Sequence, residues 1–464
     1  MAIGSSHTLG PQVGISRALL VTLFALFLGA CSLLPQDIGA QIVPTRTDYK
    51  TLEAAYHVLL ERHVDRPGSQ QLLTGALEGA EAYIKKPVDE KGAGCASVSI
   101  ARPELTGSTE SDLLKLSGAL NDVTTDCPAA DKTQLERAAT DGMAKSMNEC
   151  HTYYLDPDRA KSFNQAPQEY SGIGATILAP TEEGGMSQIA SVFPDSPAEK
   201  AGVRPGDRIK SVDGTDVSAF APEEIAQRIR GDEGTPVVLV LVRAQQDVTI
   251  TITRAKLIPP RVFDRQHEEG QISQLSISAL NGDVARQTKE LVQREIDRGV
   301  KGFVLDLRNN PGGDLSAAVN IASIFVKDAT LVRQIGRDGK TEQLTTNGDF
   351  YVGFAGPIVV LVNERSASGA EIIAAGLRAN DVASVVGTRT AGCVGIAQPR
   401  AMPDEGLLLV TLARMQDAKT GEELNGKGRG VAPDSTVTDV AETAEQEDLV
   451  AALLAVKDQI ARSG

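Results

Sequence analysis

Apolar residues recur along this chain at two periods, and the switches between them divide it into regions. Over residues 46–165 the spacing is three to four, as in Thr51-Leu52-Glu53-Ala54-Ala55-Tyr56-His57-Val58-Leu59-Leu60, which predicts helices that bury one stripe. A Gly/Ser/Thr-rich loop interrupts that region around 93–110. Residues 168–256 carry β-patterned runs at 236–242 and 248–253, with a helix expected over 222–230. From 259 to 440 strand and helix patterns alternate, which is the signature of an α/β layer; 284–298 reads as helix and 407–413 as strand. The tail, 447–460, is amphipathic, with Leu449, Ala452, Leu453, Val456 and Ile460 on one face. No internal repeat or low-complexity tract is present.

Two segments of the 259–440 region share one pattern. Val304-Leu305-Asp306-Leu307-Arg308-Asn309-Asn310-Pro311-Gly312-Gly313 and Val359-Val360-Leu361-Val362-Asn363-Glu364-Arg365-Ser366-Ala367-Ser368-Gly369 each run apolar, then break sharply into small and polar residues. A strand, a turn and a helix fit both. The first ends in a Gly-Gly pair that can expose backbone N–H groups. The second sets Ser368 at a helix start, where amides and dipole favour negative charge. Backbone donors plus a serine hydroxyl are the components of an acyl-transfer site, with Gly369 and either Gly312 or Gly313 as the expected oxyanion donors. The bland alternative is equally concrete: Ser368-Gly369-Ala370-Glu371 is also a capping-box pattern, and the Gly-Gly pair fits a tight turn.

Length and composition narrow the picture. A chain of 464 residues exceeds one ordinary domain, and 41% apolar residues suffice for packed cores. A net charge of −15 and a pI near 5.0 exclude the basic face that nucleic acid requires. The five histidines (His7, His57, His63, His151, His267) lack metal-ligand spacing, and no cofactor motif stands out. At the N-terminus, Arg17 precedes an apolar run over 18–28, the length of a signal segment rather than a bilayer span. It ends in Leu28-Gly29-Ala30-Cys31, which resembles a bacterial lipobox. Cleavage before Cys31 would leave that cysteine lipid-bearing, so an extracytoplasmic protein anchored to a bacterial membrane is expected. Ordinary secretion with cleavage nearby, or a retained anchor, is the alternative. Export implies an oxidising compartment, and the remaining Cys95, Cys127, Cys150 and Cys393 allow three disulfide connectivities. Cys95 and Cys127 bracket one polar stretch, which favours that pair and leaves Cys150 with Cys393 by elimination.

The Ser368 and Gly312-Gly313 segments resemble the C-terminal-processing, or tail-specific, serine proteases. In that family the serine of an S-A-S-x-x-E-I segment is the nucleophile, which falls on Ser368. His151-Thr152-Tyr153-Tyr154-Leu155-Asp156-Pro157 is similar to the family's D-P-H-T-x-Y-L segment, and Gly430-Val431-Ala432-Pro433-Asp434 to its closing G-I-x-P-D. Residues 168–256 resemble a PDZ domain, on Ser171-Gly172-Ile173-Gly174, Ser196-Pro197-Ala198-Glu199-Lys200-Ala201-Gly202, Pro205-Gly206-Asp207 and Val212-Asp213-Gly214. Such a domain adds a peptide as an extra strand and holds its carboxylate on loop amides, which here would be those of Gly172, Ile173 and Gly174. A PDZ-shaped spacer with no ligand is the alternative.

The departure from the family is as informative as the match. The family's base is a lysine 25 residues after the serine, and that position is Cys393 here; Lys340 and Lys419 are the nearest lysines on either side of Ser368. A cysteine is a poor base, since its thiol must first ionise. Gln398, one residue past the family's glutamine, can orient but not accept a proton. His267 offers an imidazole if the fold brings it close, though it sits beside Glu268 and Glu269 as a surface histidine would. Some relatives in the wider family lack the lysine and use residues from distant segments. The resemblance therefore implies a membrane-anchored serine endopeptidase acting on protein C-termini, with no cofactor, no metal and no nucleic acid. A catalytically dead peptide-binding lipoprotein and a plain scaffold on the same fold are the two alternatives. The expected class is multi-domain α/β: signal segment 1–30, linker 31–45, helical region 46–165, PDZ domain 168–256, peptidase core 259–440 and C-terminal helix 441–464.

Overall fold

The computed structural model describes residues 47–163, 169–180, 185–439 and 446–463. The expected signal segment and the whole of the expected linker 31–45, Cys31 included, lie outside the described residues. No helix among the described residues is long and apolar enough to cross a membrane.

The first region folds as its periodicity predicts, into α1 (Lys50–Arg62), α2 (Ser69–Lys85), α3 (Thr109–Asp126) and α4 (Lys132–Lys145). Their apolar stripes meet in one core that buries Leu52, Tyr56, Leu72, Leu116, Leu135 and Met143. Helices α2 and α4 cross at glycines: a Cβ on Gly79 would fall 2.2 Å from the Ala138 carbonyl oxygen, so only a bare backbone permits the approach. Asp131 caps α4, its carboxylate accepting from Gln134 N–H at 2.9 Å. A disulfide joins Cys95, in the polar loop, to Cys127 at the end of α3. This core continues into Leu408 and Val410, residues from far along the chain, so the helical region is packed onto the 259–440 region.

After β1 (Tyr153–Leu155) comes an antiparallel sheet of β2 (Ala175–Leu178), β3 (Gln188–Val192), β4 (Arg208–Val212), β5 (Pro236–Arg243) and β6 (Gln246–Thr253), paired in that order. Val237, Leu239 and Leu241 alternate inward on β5 and pack with Ile189, Ile209 and Ile225, the last from α5 (Pro222–Ile229). Among the described residues strand β2 pairs with β3 alone, which leaves its other edge open there.

The remaining elements are β7 (Val262–His267), β8 (Ile272–Ile277), α6 (Val284–Asp297), β9 (Gly302–Asp306), α7 (Leu315–Phe325), β10 (Thr330–Gly336), β11 (Thr341–Thr345), β12 (Ile358–Val362), α8 (Gly369–Ala379), β13 (Ala383–Gly387), β14 (Gly395–Ala401), β15 (Leu407–Asp417), β16 (Ser435–Thr436) and α9 (Glu447–Ser463). One sheet has the order β7-β8-β9-β12-β13-β16, parallel from β8 onward. Its central strands are apolar on both faces because both faces are covered. Phe303, Leu305, Val360 and Val362 face α6, α7 and α8, while Val304, Val359 and Leu361 face Ala452 and Val456 of α9. A second sheet is built around β15, with β14 on one side and β1 and β10 on the other. The two sheets bring the ends of β9 and β12 close to the β13–β14 loop and to the residues just before β1.

Candidate active site

Two turns leave the carboxyl ends of the adjacent parallel strands β9 and β12, the usual place for a ligand site in such a sheet. They are tied together by amides. Asn309 N–H donates to Asn363 Oδ1 at 2.9 Å, and Asn363 Nδ2 donates to Asn309 Oδ1 at 3.0 Å. Fully buried Asn310 donates through Nδ2 to the Ile277 carbonyl and accepts Gly312 N–H, each at 2.8 Å. Buried Ser366 donates its hydroxyl to the Leu307 carbonyl at 2.8 Å, and Ala367 N–H reaches the Asn310 carbonyl at 2.9 Å. The buried side chains of Asn310 and Ser366 thus find partners, which fixes the shape of the turns.

Ser368 follows directly, between β12 and α8. Its backbone has φ 54° and ψ −117°, a costly conformation for a residue with a Cβ, about 1–3 kcal/mol. Its N–H is shared between the Cys393 carbonyl at 2.7 Å and Glu371 Oε2 at 2.9 Å. The side chain is half-buried, so it can be reached. Glycine is required opposite it: a Cβ on Gly312 would fall 2.6 Å from Ser368 Cβ and 2.7 Å from Gly369 N. The structure also separates the two glycine donors. Gly312 N–H is spent on Asn310, whereas Gly313 N–H and Gly369 N–H have no hydrogen-bond partner among the described residues. Gly312 therefore contributes closeness rather than an amide.

Glu371 does more than cap α8. Its fully buried carboxylate accepts from Ser368 N–H and, across the site, from Cys393 N–H and Gly392 N–H, all at 2.9 Å, and from the Thr390 hydroxyl at 2.5 Å. Burial raises its pKa, and these four donors work against the rise. The carboxylate fastens the Thr390–Cys393 loop to the Ser368 turn.

Cys393 is not a thiol in this structure. It is disulfide-bonded to Cys150, which removes it as base or nucleophile. The bond instead brings in His151, whose Nδ1 lies 3.5 Å from Cys150 Sγ and 3.6 Å from Cys393 Sγ. Its backbone N–H donates to Glu149 Oε2 at 2.8 Å, and Glu149 Oε1 accepts the Thr411 hydroxyl at 2.7 Å. Burial pushes the Glu149 carboxyl up, but the His63 ring 3.6 Å away, the nearby Thr152 hydroxyl and hydrogen bonds from the His151 N–H and the Thr411 hydroxyl outweigh it and hold the group at about 2. Burial lowers the His151 pKa below its ordinary 6.5, against an opposing pull from Glu149, so the imidazole is neutral at neutral pH. Sequence reasoning did not single out His151, because its place beside Cys393 depends on a disulfide spanning 243 residues; the signal available was its place in the family-like 151–157 segment.

The other expected residues fall elsewhere. His267 lies opposite Ile272, at the amino end of β8. That is about a strand's length, roughly 15 Å, from the carboxyl ends that carry Ser368. Its Nε2 bonds Gln274 Oε1 at 3.0 Å, so it is a sheet-edge histidine and not the missing base. Gln398 is on β14 opposite Val410, its Oε1 accepting from Arg400 at 2.7 Å. Gly172 is paired with Ala255 in a short two-stranded sheet, and the Ile173 and Gly174 carbonyls accept from Ala198 and Phe193. Gly174 has φ 84°, and a Cβ there would fall 2.4 Å from Ser196 Cβ. These residues immediately precede the open strand β2. Arg365, in the Ser368 turn, donates to the Ala179 carbonyl at 2.5 Å, just past the end of β2.

Residues 271–437 match peptidase family S41, and residues 188–243 match the PDZ domain family. Residues 271–437 thus form a domain of the S41 peptidase type. A protein of Staphylococcus aureus (strain COL) named "Probable CtpA-like serine protease" is 32% identical over 309 residues, which is 66% of this chain and 61% of that one. Its namesake in Staphylococcus haemolyticus is 33% identical over 307 residues, covering 66% and 60%. The chain thus spans about three fifths of the length of these relatives. Among solved structures, the photosystem II D1 C-terminal processing protease shares the fold with a TM-score of 0.51 at 22% identity, covering 85% of this chain and 94% of that one.

Proposed function

We propose that this chain is a serine endopeptidase of the C-terminal-processing type in which His151, not a lysine, takes the proton of Ser368. The observation that carries the reading is the strained Ser368 turn, whose N–H is held by the very loop that the Cys150–Cys393 bond joins to His151. Ser368 Oγ attacks the scissile carbonyl carbon and passes its proton to His151. Gly369 and Gly313 N–H bind the oxyanion, and collapse expels the amine with that proton, leaving an acyl-serine ester. Water, giving its proton to the same imidazole, hydrolyses the ester and restores the serine.

Substrate enters through its C-terminus. The open edge of β2, flanked by α5 and preceded by Gly172–Gly174, supports addition of an extended peptide strand. The Arg365–Ala179 bond supports a substrate path from that edge to the nucleophile turn. Lipid attachment at Cys31 and an extracytoplasmic, membrane-anchored location belong to the same reading, and the two disulfides support an oxidising compartment.

The replacement of the family lysine by Cys393 favours one second reading, a peptide-binding lipoprotein without turnover. One experiment separates them: a denatured reporter with an apolar C-terminus, incubated with the parent and with Ser368→Ala. Cleavage by the parent, reduced at least about a thousandfold in the variant while reporter binding persists, is the expected result. Equal silence from both, with the reporter bound, would establish the second reading.

A further inference from the structure

Cys150, His151 and Cys393 are the only group of metal-ligating side chains among the described residues whose donor atoms cluster this closely, all within 4.8 Å of one another. In the oxidised chain two of the three donors are spent on each other. We propose that reduction of the Cys150–Cys393 bond opens a site for a thiophilic divalent cation, Zn2+ by chemistry, bound by both sulfurs and by His151.

The geometry supports a tetrahedral Cys2His set. With Zn–S near 2.3 Å and Zn–N near 2.0 Å, adjacent sulfur and nitrogen ligands stand about 3.5 Å apart. His151 Nδ1 already lies at 3.5 Å and 3.6 Å from the two sulfurs. Only the sulfur–sulfur edge must open, to about 3.8 Å, once the bond is broken. The surroundings suit the change. Cys150 is exposed, so a reductant reaches its sulfur, while the Cys393 backbone stays fastened by its N–H to Glu371 and its carbonyl to Ser368. Three protein ligands leave one position for water. Cys2His with an open fourth site is an established zinc arrangement, and the soft thiolates select Zn2+ over Mg2+ or Ca2+.

The chemistry balances. A dithiol reductant gives two electrons and two protons to the disulfide, yielding two Cys thiols and an oxidised reductant. Zn2+ then displaces one proton from each thiol and takes the lone pair of His151. Reoxidation by a disulfide reverses both steps and releases the metal. Because the cation occupies the imidazole that Ser368 needs, the metal-loaded chain is silent. That consequence rests on the proposed role of His151; the site itself does not.

The test uses the full chain carrying Cys31→Ser, reduced with a phosphine that is then removed without air, and titrated with Co2+ as a coloured stand-in. One Co2+ per chain is expected, with thiolate charge-transfer bands and the strong visible absorption of tetrahedral cobalt, both bleached by equimolar Zn2+. The same chain left oxidised should bind none, and reoxidation should expel the metal. Cys95→Ser/Cys127→Ser should keep the spectrum, Cys393→Ser should lose it, and His151→Ala should weaken affinity at least tenfold. Absence of cobalt from the reduced chain, equal binding by the oxidised chain, or a spectrum surviving Cys393→Ser would overturn the site. The oxidised and reduced parent differ in no residue, so misfolding of a variant does not blur the result. If cobalt binds as described and turnover persists undiminished, the site stands and the role of His151 falls.

Discussion

The two sides of the candidate site are held by different means. On one side the Gly312-Gly313 and Ser368 turns are fixed by the parallel pairing of β9 with β12 and by local amide bonds among Asn309, Asn310, Asn363 and Ser366. On the other, the Thr390–Cys393 loop and His151 belong to distant stretches of chain, joined by one disulfide and one buried carboxylate. Local backbone architecture is enough to present the Ser368 hydroxyl and the free amides. Bringing an imidazole to the Cys393 loop takes long-range fasteners, and those can be cut one at a time.

The sharpest way to break the contrast is at the base itself. His151→Gln is expected to lower kcat about a thousandfold with reporter binding kept, as loss of a general base does. In the parent, burial holds the His151 pKa below the ordinary 6.5, so the basic form persists to more acidic pH. The acid limb of kcat/KM should therefore bend below pH 6.5 and vanish in the variant. A limb centred near pH 8 would exclude this imidazole. The same sign governs stability: a buried neutral histidine contributes above its ordinary pKa, and the contribution is lost as pH falls below that value.

Next in size is Glu371→Gln. The amide nitrogen would face N–H groups that need an acceptor, so the loop should shift away from Ser368, and kcat should fall about a hundredfold with KM nearly unchanged. A loss confined to KM would assign Glu371 to substrate binding instead.

The disulfides offer a paired test. The Cys150–Cys393 bond spans 243 residues and the Cys95–Cys127 bond 32. Chain entropy assigns them about 5 and about 3–4 kcal/mol as upper bounds. Cys150→Ser/Cys393→Ser should lower Tm and drop kcat about tenfold, while Cys95→Ser/Cys127→Ser should lower Tm and leave kcat alone. Equal kcat in both variants would mean the catalytic loop needs no covalent fastener. The smallest effect is expected from Arg365→Ala, which removes the bond to Ala179: about a threefold rise in KM for C-terminal reporters, kcat unchanged, read from initial rates.

Much of this was legible because it is local. The periodicity at 51–60 foretold α1, and the faces of α9 followed from Leu449, Ala452, Leu453, Val456 and Ile460, of which Ala452 and Val456 are fully buried. Ser368 and Gly313 could be singled out because a strand that ends in small residues has few ways to turn. Gly312 shows the limit: its residue type announced a tight approach, but not that its N–H would go to Asn310. His267 and His151 are indistinguishable as imidazoles in sequence, and only the direction of β8 and the Cys150–Cys393 bond put one far from Ser368 and the other beside its loop.

The sequence by itself determined the elements, the two-turn pattern around Ser368 and the absence of the family lysine, since each depends on neighbours a few residues apart. The tertiary structure decided which glycine keeps a free amide, that Glu371 binds two loops, and that Cys393 brings a histidine in place of a thiol. Those outcomes depend on contacts between residues up to 243 positions apart, and no local pattern encodes which distant partner a closed loop will meet.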